Sequence, residues 1–217
     1  MIRSKLIRLY WLAGRPLFRQ TSRAMALPPP TRLLLIRHAP SAAQGRLAGR
    51  LDGPATLPSA LAPAQTRLAS LLPSPCNLFT SPALRCRQTA EALLPNTEYK
   101  QDARLWEQDF GAWEGQDVTS LPDLGPLSRA DLAAHRPPSG ENFLEVAARA
   151  APALADIATQ GPAIIITHAG LIRAAIGLAL GETAQGLAFE VAPLSATLLS
   201  VSGGVWSIGF VNLSLLP

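Results

Sequence analysis

Two histidines stand at corresponding places in this 217-residue sequence, each directly after a short apolar run. Residues 33–36 lead into Arg37 and His38, and residues 163–167 lead into His168. Such runs predict buried strands of a parallel sheet, and ligands collect outside the carboxyl ends of those strands. Because the chain has only three histidines, two at matching strand ends predict one catalytic site. The alternative is that both fill the core or face solvent.

A third candidate group, Arg85, lies near the start of a predicted helix. Residues 78–80 are typical of a short strand, and Ser81 with Pro82 is a favoured helix beginning. Free backbone N–H groups and an adjacent guanidinium would form an anion site there. The alternative is a surface arginine on an amphipathic helix.

The segment 106–115 interleaves acids with aromatic residues and glycines. Aromatic neighbours remove a carboxyl group partly from water, which favours its protonated form and suits a general acid. Residues 116–139 are proline-rich and irregular, with a short helix predicted around 127–135, and we expect them to cap the site. We expect the third histidine, His135, at the surface.

The remaining pattern supplies the elements that position these groups. Residues 59–72 predict a helix, and a longer helix is predicted after Asn142, ending at Gly161. Further strands are predicted at 99–105, 187–191, 196–201 and 205–211.

Charge is unevenly distributed along the chain. The net charge is +4, but residues 1–24 hold six of the 19 basic residues and no acid. The rest therefore has 13 basic and 15 acidic residues, so no nucleic-acid or membrane partner is expected from the folded part. Residues 1–30 predict a basic extension, read as a presequence, a disordered arm or, the reading we favour, translated upstream sequence before Met25. Residues 31–217 predict one domain.

The two cysteines, Cys76 and Cys86, fit neither a disulfide framework nor a zinc site. We therefore expect a reduced, cytoplasmic protein. The sequence also lacks a ligand cluster with metal spacing, so no metal or other cofactor is expected.

Four ordered segments resemble the motifs of the histidine phosphatase superfamily, which has the phosphoglycerate mutase-like fold. They are residues 37–39, 80–90, 105–115 and 167–170. The resemblance extends from about Arg32 to about Phe210. It implies an α/β protein, a three-layer α/β/α sandwich with a mostly parallel central sheet and a small cap insertion.

The resemblance also implies roles for individual residues. His38 would be the nucleophile and Glu107 the proton donor, with His168 beside them. Phosphate contacts would come from Arg37 and Arg85, and from two polar residues that replace the family's usual Thr and Asn, Ser41 and Gln44. Fixed cations can stabilise the spread charge of phosphoryl transfer without magnesium.

The short segment 107–111 looks like the phosphatase branch of the family rather than its mutases. The resemblance therefore implies a phosphomonoesterase acting on a small molecule, and the motifs with the cap most resemble the alpha-ribazole phosphatase branch of cobalamin biosynthesis. The alternatives are a broad-specificity phosphatase, a phosphoglycerate mutase-type phosphotransferase and an inactive phospho-ligand binder. The oligomeric state is left open.

Overall fold

The computed structural model describes residues 29–43, 45–71 and 75–217. The basic segment 1–24 and the predicted phosphate contact Gln44 lie outside the described residues. The strands are β1 (Thr31–Arg37), β2 (Asn77–Thr80), β3 (Lys100–Gln101), β4 (Ala163–Thr167), β5 (Ser195–Ser202) and β6 (Val205–Ser214). The α-helices are α1 (Ala62–Leu71), α2 (Leu84–Leu93), α3 (Arg129–Ala134), α4 (Phe143–Thr159) and α5 (Ala169–Leu180).

The six strands form one sheet in the order β3-β2-β4-β1-β5-β6. The first four strands of this order pair in parallel, whereas β5 and β6 extend the sheet antiparallel. The predicted α/β class with a mostly parallel central sheet is confirmed.

Helices cover both faces of the sheet, because successive strand residues point to opposite sides. Leu33 and Leu35 pack in one apolar cluster with side chains of α4 and α5. Leu34 and Ile36 pack in the other with side chains of α1 and α2. All four have no exposed surface, and each contributes about 1.5–3 kcal/mol relative to an exposed position. The alternation in β1 thus produces the three layers.

The register of β1 and β4 brings the two histidines together. Arg37 lies opposite Thr167, and the next residue, His38, donates its backbone N–H to Thr167 O over 2.9 Å. His38 and His168 therefore leave the same edge of the sheet side by side.

Two predicted strands differ from the structure. Residues 187–191 were expected to pair in the sheet, which is wrong: Thr183–Ala188 is a 3₁₀ helix, and the apolar Leu187 and Phe189 pack on the core cluster of α4 and α5. Their hydrophobicity reflects burial rather than strand pairing. The strand expected at 99–105 shortens to Lys100–Gln101, because Asp102 accepts the N–H of Arg104 and caps a 3₁₀ turn.

The predicted cap, residues 116–139, contains a 3₁₀ turn and α3. Its two ends are joined by backbone hydrogen bonds from Ala112 N to Pro138 O (2.9 Å) and from Glu141 N to Asp109 O (2.8 Å). We call these two bonds the neck. Gly111 has a φ of 52°, and a Cβ there would collide with Pro138 O, so the neck requires glycine at this position.

No helix among the described residues is both long and apolar enough to cross a membrane.

Candidate active site

His38 lies directly beyond the end of β1 and is 6% exposed. Its Nδ1 is 2.6 Å from the carbonyl oxygen of Ala39, which can only accept, so Nδ1 carries the proton. Arg85 donates its Nε–H to Nε2 of His38 over 3.3 Å. Burial and the guanidinium of Arg85 lower the pKa of His38 to about 3. His38 is therefore a neutral imidazole with its lone pair on Nε2, facing a fixed cation.

Arg85, in the first turn of α2, is 1% exposed and joins the two histidines. Besides its bond to His38, it donates from NH2 to Nδ1 of His168 over 3.2 Å. It also donates to loop carbonyls, from NH1 to Leu51 O (2.9 Å) and from NH2 to Ala48 O (3.2 Å) and Gly49 O (2.7 Å). The guanidinium is thus held by the backbone and oriented towards both imidazoles.

His168 is fully buried at the beginning of α5, with its ring centroid 5.1 Å from that of His38. Because Arg85 donates to Nδ1, the proton of the neutral ring lies on Nε2, which is 2.8 Å from Ser81 Oγ. Trp106 stacks nearly parallel to the ring, at 6.1 Å between centroids. Burial lowers the pKa of His168 well below its ordinary value.

Arg37, the last residue of β1, is partly buried and donates to Val191 O over 2.6 Å. Burial lowers its pKa, and the nearby charge of Glu107 opposes that shift. Its charge also lowers the pKa of His38. The second predicted guanidinium therefore belongs to the same electrostatic unit.

Glu107 lies in the loop after Leu105 and reaches the N-terminus of α5. Its Oε2 accepts the N–H of Gly170 over 3.1 Å, and its Oε1 accepts the N–H of Gln108 over 3.0 Å. A Cβ at position 170 would collide with Oε1 of Glu107, so this approach requires glycine. Gly170 follows His168 by two residues, which places the carboxylate beside the histidine site.

A second carboxylate of the same loop, Glu114, organises the loop that holds Arg85. It accepts four backbone N–H groups, those of Gly49 (3.1 Å), Arg50 (2.8 Å), Leu51 (3.0 Å) and Phe110 (3.0 Å). The loop 48–51 therefore directs its N–H groups to Glu114 and its carbonyls to Arg85. The sequence alone indicates no role for Glu114, since nothing local distinguishes it from Glu107.

The N-terminus of α2 is not the free anion site that the sequence suggested. Asp52 accepts the N–H of Leu84 over 2.6 Å, and Ser81 Oγ accepts that of Ala83 over 3.4 Å. The helix begins at Leu84 rather than at Pro82. Because the Asp52 carboxylate already occupies this end of the helix, the Arg85 side chain is the remaining candidate for anion binding here.

Ser41, expected to contact phosphate, lies in a local turn. Its Oγ accepts the N–H of Ala43 over 3.2 Å, and it forms an isolated β-bridge with Ala55. Among the described residues no hydrogen bond joins it to His38 or Arg85. Its phosphate contact stays a prediction.

A cavity of about 300 Å³ opens beside Glu107, between the loop that carries Glu107, the cap and α5. Its wall is mainly apolar, and includes Leu47, Phe110, Trp113, Leu121, Leu124 and Phe143. The polar residues of the wall are Glu107, Gln108, His135 and Arg173. The predicted acid therefore borders both the histidines and a largely apolar chamber.

His135 is not the surface residue that we expected. It is partly buried, lines this cavity and stacks on Trp113 with 5.6 Å between ring centroids. The irregular composition of the cap concealed this, because the stacking partner lies 22 positions earlier in the chain.

Both cysteines are free thiols. Cys86 is fully buried with its Sγ 3.5 Å from His168 Nε2, and burial raises its pKa. In the described part of the chain, no group of three or more His, Cys, Asp and Glu side chains is arranged to hold a metal ion.

A neutral buried imidazole, two guanidiniums, a second imidazole and a nearby carboxyl group are the kinds of group that covalent phosphoryl transfer requires. The chain belongs to the histidine phosphatase superfamily (branch 1), whose family model matches residues 33–214.

Among curated relatives, the chain is similar to the 6-phosphofructo-2-kinase/fructose-2,6-bisphosphatase of Aquarana catesbeiana. The two are 30% identical over 125 residues, which cover 56% of this chain and 26% of the relative. The chain thus spans about a quarter of the length of the relatives that it matches.

Solved structures share the fold over most of the chain. A mycobacterial glucosyl-3-phosphoglycerate phosphatase is 25% identical, with a TM-score of 0.70 over 85% of this chain and 100% of the other. A candidate alpha-ribazole-5′-P phosphatase from Escherichia coli is 21% identical, with a TM-score of 0.69 over 86% and 98% of the two chains. At 21% identity the second likeness shows the fold alone.

Proposed function

We propose that this protein is a phosphomonoesterase that acts through a phosphohistidine intermediate. Nε2 of His38 attacks phosphorus, and the bond from phosphorus to the ester oxygen breaks as Glu107 gives that oxygen a proton. Water then attacks the phosphorus on His38 and gives a proton to the Glu107 carboxylate, which releases inorganic phosphate and restores both the imidazole and the acid. The observation that carries this proposal is the neutral His38, whose Nε2 lone pair faces Arg85.

The charges around His38 support the transfer step. Arg37, Arg85 and His168 surround the nucleophile and would bind the phosphoryl oxygens, where negative charge is spread in the transition state. Burial keeps the nucleophile unprotonated, and the charges of Arg85 and Arg37 add to this effect by lowering the pKa of His38 further. One arrangement therefore serves both the nucleophile and the phosphate.

We further propose alpha-ribazole 5′-phosphate as the substrate. Because Glu107 protonates the ester oxygen, the leaving alcohol must lie on the Glu107 side of the phosphate, where the cavity opens. A flat, mostly apolar base suits a wall that contains Phe110 and Trp113. The sequence resemblance to the alpha-ribazole phosphatase branch supports the same substrate.

Arg173 favours a second candidate, a phosphatase for esters whose leaving alcohol carries an anion. It lines the cavity, and its Nε donates to Phe189 O over 2.9 Å. Within the described residues no carboxylate lies at ion-pair distance from this guanidinium. Phosphoglycerate-type esters would supply the missing anion.

The proposal is tested by release of inorganic phosphate in EDTA from alpha-ribazole 5′-phosphate and a panel of phosphomonoesters, with wild type and His38→Ala. We expect a strong preference for the ribazole ester, abolished in the variant, together with acid-labile phosphate on the wild-type protein after rapid quenching. Preference for a phosphoglycerate ester would support the second candidate.

Other results would contradict the proposal at different levels. Unselective release would leave a broad-specificity histidine phosphatase. Transfer that needs a bisphosphorylated primer would indicate a mutase, and phosphate binding without turnover would indicate a binder. Activity lost in EDTA and restored by a divalent ion would contradict the metal-independent mechanism.

A further inference from the structure

Arg149 lies in the middle of α4, and its side chain donates to backbone carbonyls of the loop that carries Glu107. Its NH1 donates to the carbonyl oxygens of Arg104 (2.8 Å) and Trp106 (2.7 Å), and its NH2 donates to that of Glu107 (2.8 Å). One rigid guanidinium thus binds three carbonyls within four consecutive residues, the last of them belonging to the predicted acid itself.

Glu141 completes this arrangement from the other side. It receives the Nε and NH2 of Arg149 at 2.9 and 3.0 Å, while its Oε2 accepts the backbone N–H of Asp109 over 3.0 Å. Burial favours the neutral form of Glu141, but the bonds from Arg149 and Asp109 outweigh it and lower the pKa of Glu141. Arg149 and Glu141 together therefore hold the loop on both sides of Glu107.

The pair is mostly shielded from water, so a replacement side chain must supply the same hydrogen bonds in the same geometry. The side chains of Arg149 and Glu141 are 18% and 23% exposed. A planar guanidinium with five donors in a fixed fork fits these acceptors, whereas a lysine ammonium offers three donors from one point. Removal of the guanidinium would leave the loop carbonyls without their partner.

We propose that Arg149, oriented by Glu141, is a positioning residue that places Glu107 for proton transfer to the leaving oxygen. This inference rests on the proposed function, in which Glu107 is the acid. A general acid acts only within hydrogen-bond reach of its target, so a shift of the loop weakens protonation while the nucleophile stays in place.

The test compares two phosphate esters that differ in their need for a proton. Benzyl phosphate releases an alkoxide, a poor leaving group that needs a proton from the acid. Para-nitrophenyl phosphate releases a phenolate, which leaves without that proton. For Arg149→Met we expect kcat/KM to fall by on the order of 10²-fold for benzyl phosphate and by less than about 5-fold for the aryl ester. The double variant Glu107→Gln/Arg149→Met should have a kcat/KM for benzyl phosphate only slightly lower than that of Glu107→Gln alone.

Two further variants make the outcome decisive. Arg149→Lys keeps the charge and folds more readily, and should show the same selective loss to a smaller extent. Arg136→Met removes another arginine–glutamate pair of the same region, that with Glu145. It should leave kcat/KM almost unchanged for both esters.

Each result decides for or against the positioning role. Equal losses on both esters for Arg149→Lys, or additive losses in the double variant, would show that the pair only stabilises the fold. If Glu107→Gln itself is not selective for benzyl phosphate, the acid assignment fails, and the positioning role fails with it. If Glu107→Gln is selective and Arg149→Lys is not, only the positioning role is overturned.

Discussion

In the proposed site, the nucleophile half (His38, Arg85 and His168) and the acid half (Glu107) are held in place by different kinds of structure. His38, Arg85 and His168 stand at strand ends or in the first turn of a helix, and at most 6% of any of them is exposed. Glu107 stands in a loop between two 3₁₀ turns, at Ala103–Leu105 and Gly111–Trp113. Its place depends on single side chains from distant segments.

This difference separates two kinds of failure. In the nucleophile half the sheet register sets the positions, so a substitution there affects every substrate through the transfer step itself. In the acid half side-chain contacts set the position, so a substitution there affects substrates according to their need for a proton. Ratios between substrates therefore report which half a residue serves.

The largest effect is expected for Arg85→Lys. A lysine cannot donate to both imidazoles and to the carbonyls of the loop 48–51 at once, so we expect kcat/KM to fall by on the order of 10³-fold. The kcat/KM should fall by the same factor for benzyl phosphate and for para-nitrophenyl phosphate. A selective loss on one ester would break the comparison, because Arg85 would then act on the leaving group.

A smaller and selective effect is expected for Glu107→Gln. The amide keeps the shape of the side chain but has no acidic proton, so benzyl phosphate should lose about 10²-fold in kcat/KM and the aryl ester less than about 10-fold. Steady-state assays with both esters measure this ratio. Equal losses would mean that Glu107 is not the proton donor.

The last prediction concerns stability against acid. Unfolded imidazole binds a proton below a pKa of about 6.5, whereas His38 in the folded protein stays neutral down to about pH 3. Below pH 6.5 the unfolded chain therefore binds a proton at this position that the folded protein does not. The free energy of unfolding falls by about 1.4 kcal/mol per pH unit between pH 6.5 and pH 3 for each buried neutral histidine.

Urea unfolding of wild type and His38→Asn between pH 7 and pH 4.5 measures this loss. His38→Asn should show the shallower decline, because only His168 of the pair then contributes. Identical slopes would show that the pKa of His38 is the same in the folded and the unfolded protein, which would contradict the lowered pKa of a buried, neutral nucleophile.

The nucleophile half could be predicted from sequence because its logic is topological. An apolar run followed by His38, a second run followed by His168, and a helix beginning near Arg85 are all visible locally. Parallel pairing then brings these ends to one edge of the sheet. The parallel centre of the sheet was predictable for the same reason, whereas the strand expected at 187–191 is absent and the one expected at 99–105 is reduced to Lys100–Gln101.

The acid half could be predicted only in part. The mixture of acids and aromatic residues located the loop, and the role of Glu107 came from the family resemblance. In the sequence, Arg149 is indistinguishable from any other polar residue of an amphipathic helix, because the carbonyls that it binds lie 42 to 45 positions away. Contacts of this kind, like those of Glu114 and Asp52, have no local signal.

The neck at the base of residues 116–139 has a consequence for how this scaffold can change. The chain leaves and rejoins the domain between two backbone hydrogen bonds, from Ala112 N to Pro138 O and from Glu141 N to Asp109 O. Backbone bonds do not depend on which side chains the intervening segment carries. We therefore expect that evolution, or a protein engineer, can exchange the insert for one of different length and composition. Such a graft would redirect the choice of substrate while the phosphoryl chemistry is inherited unchanged.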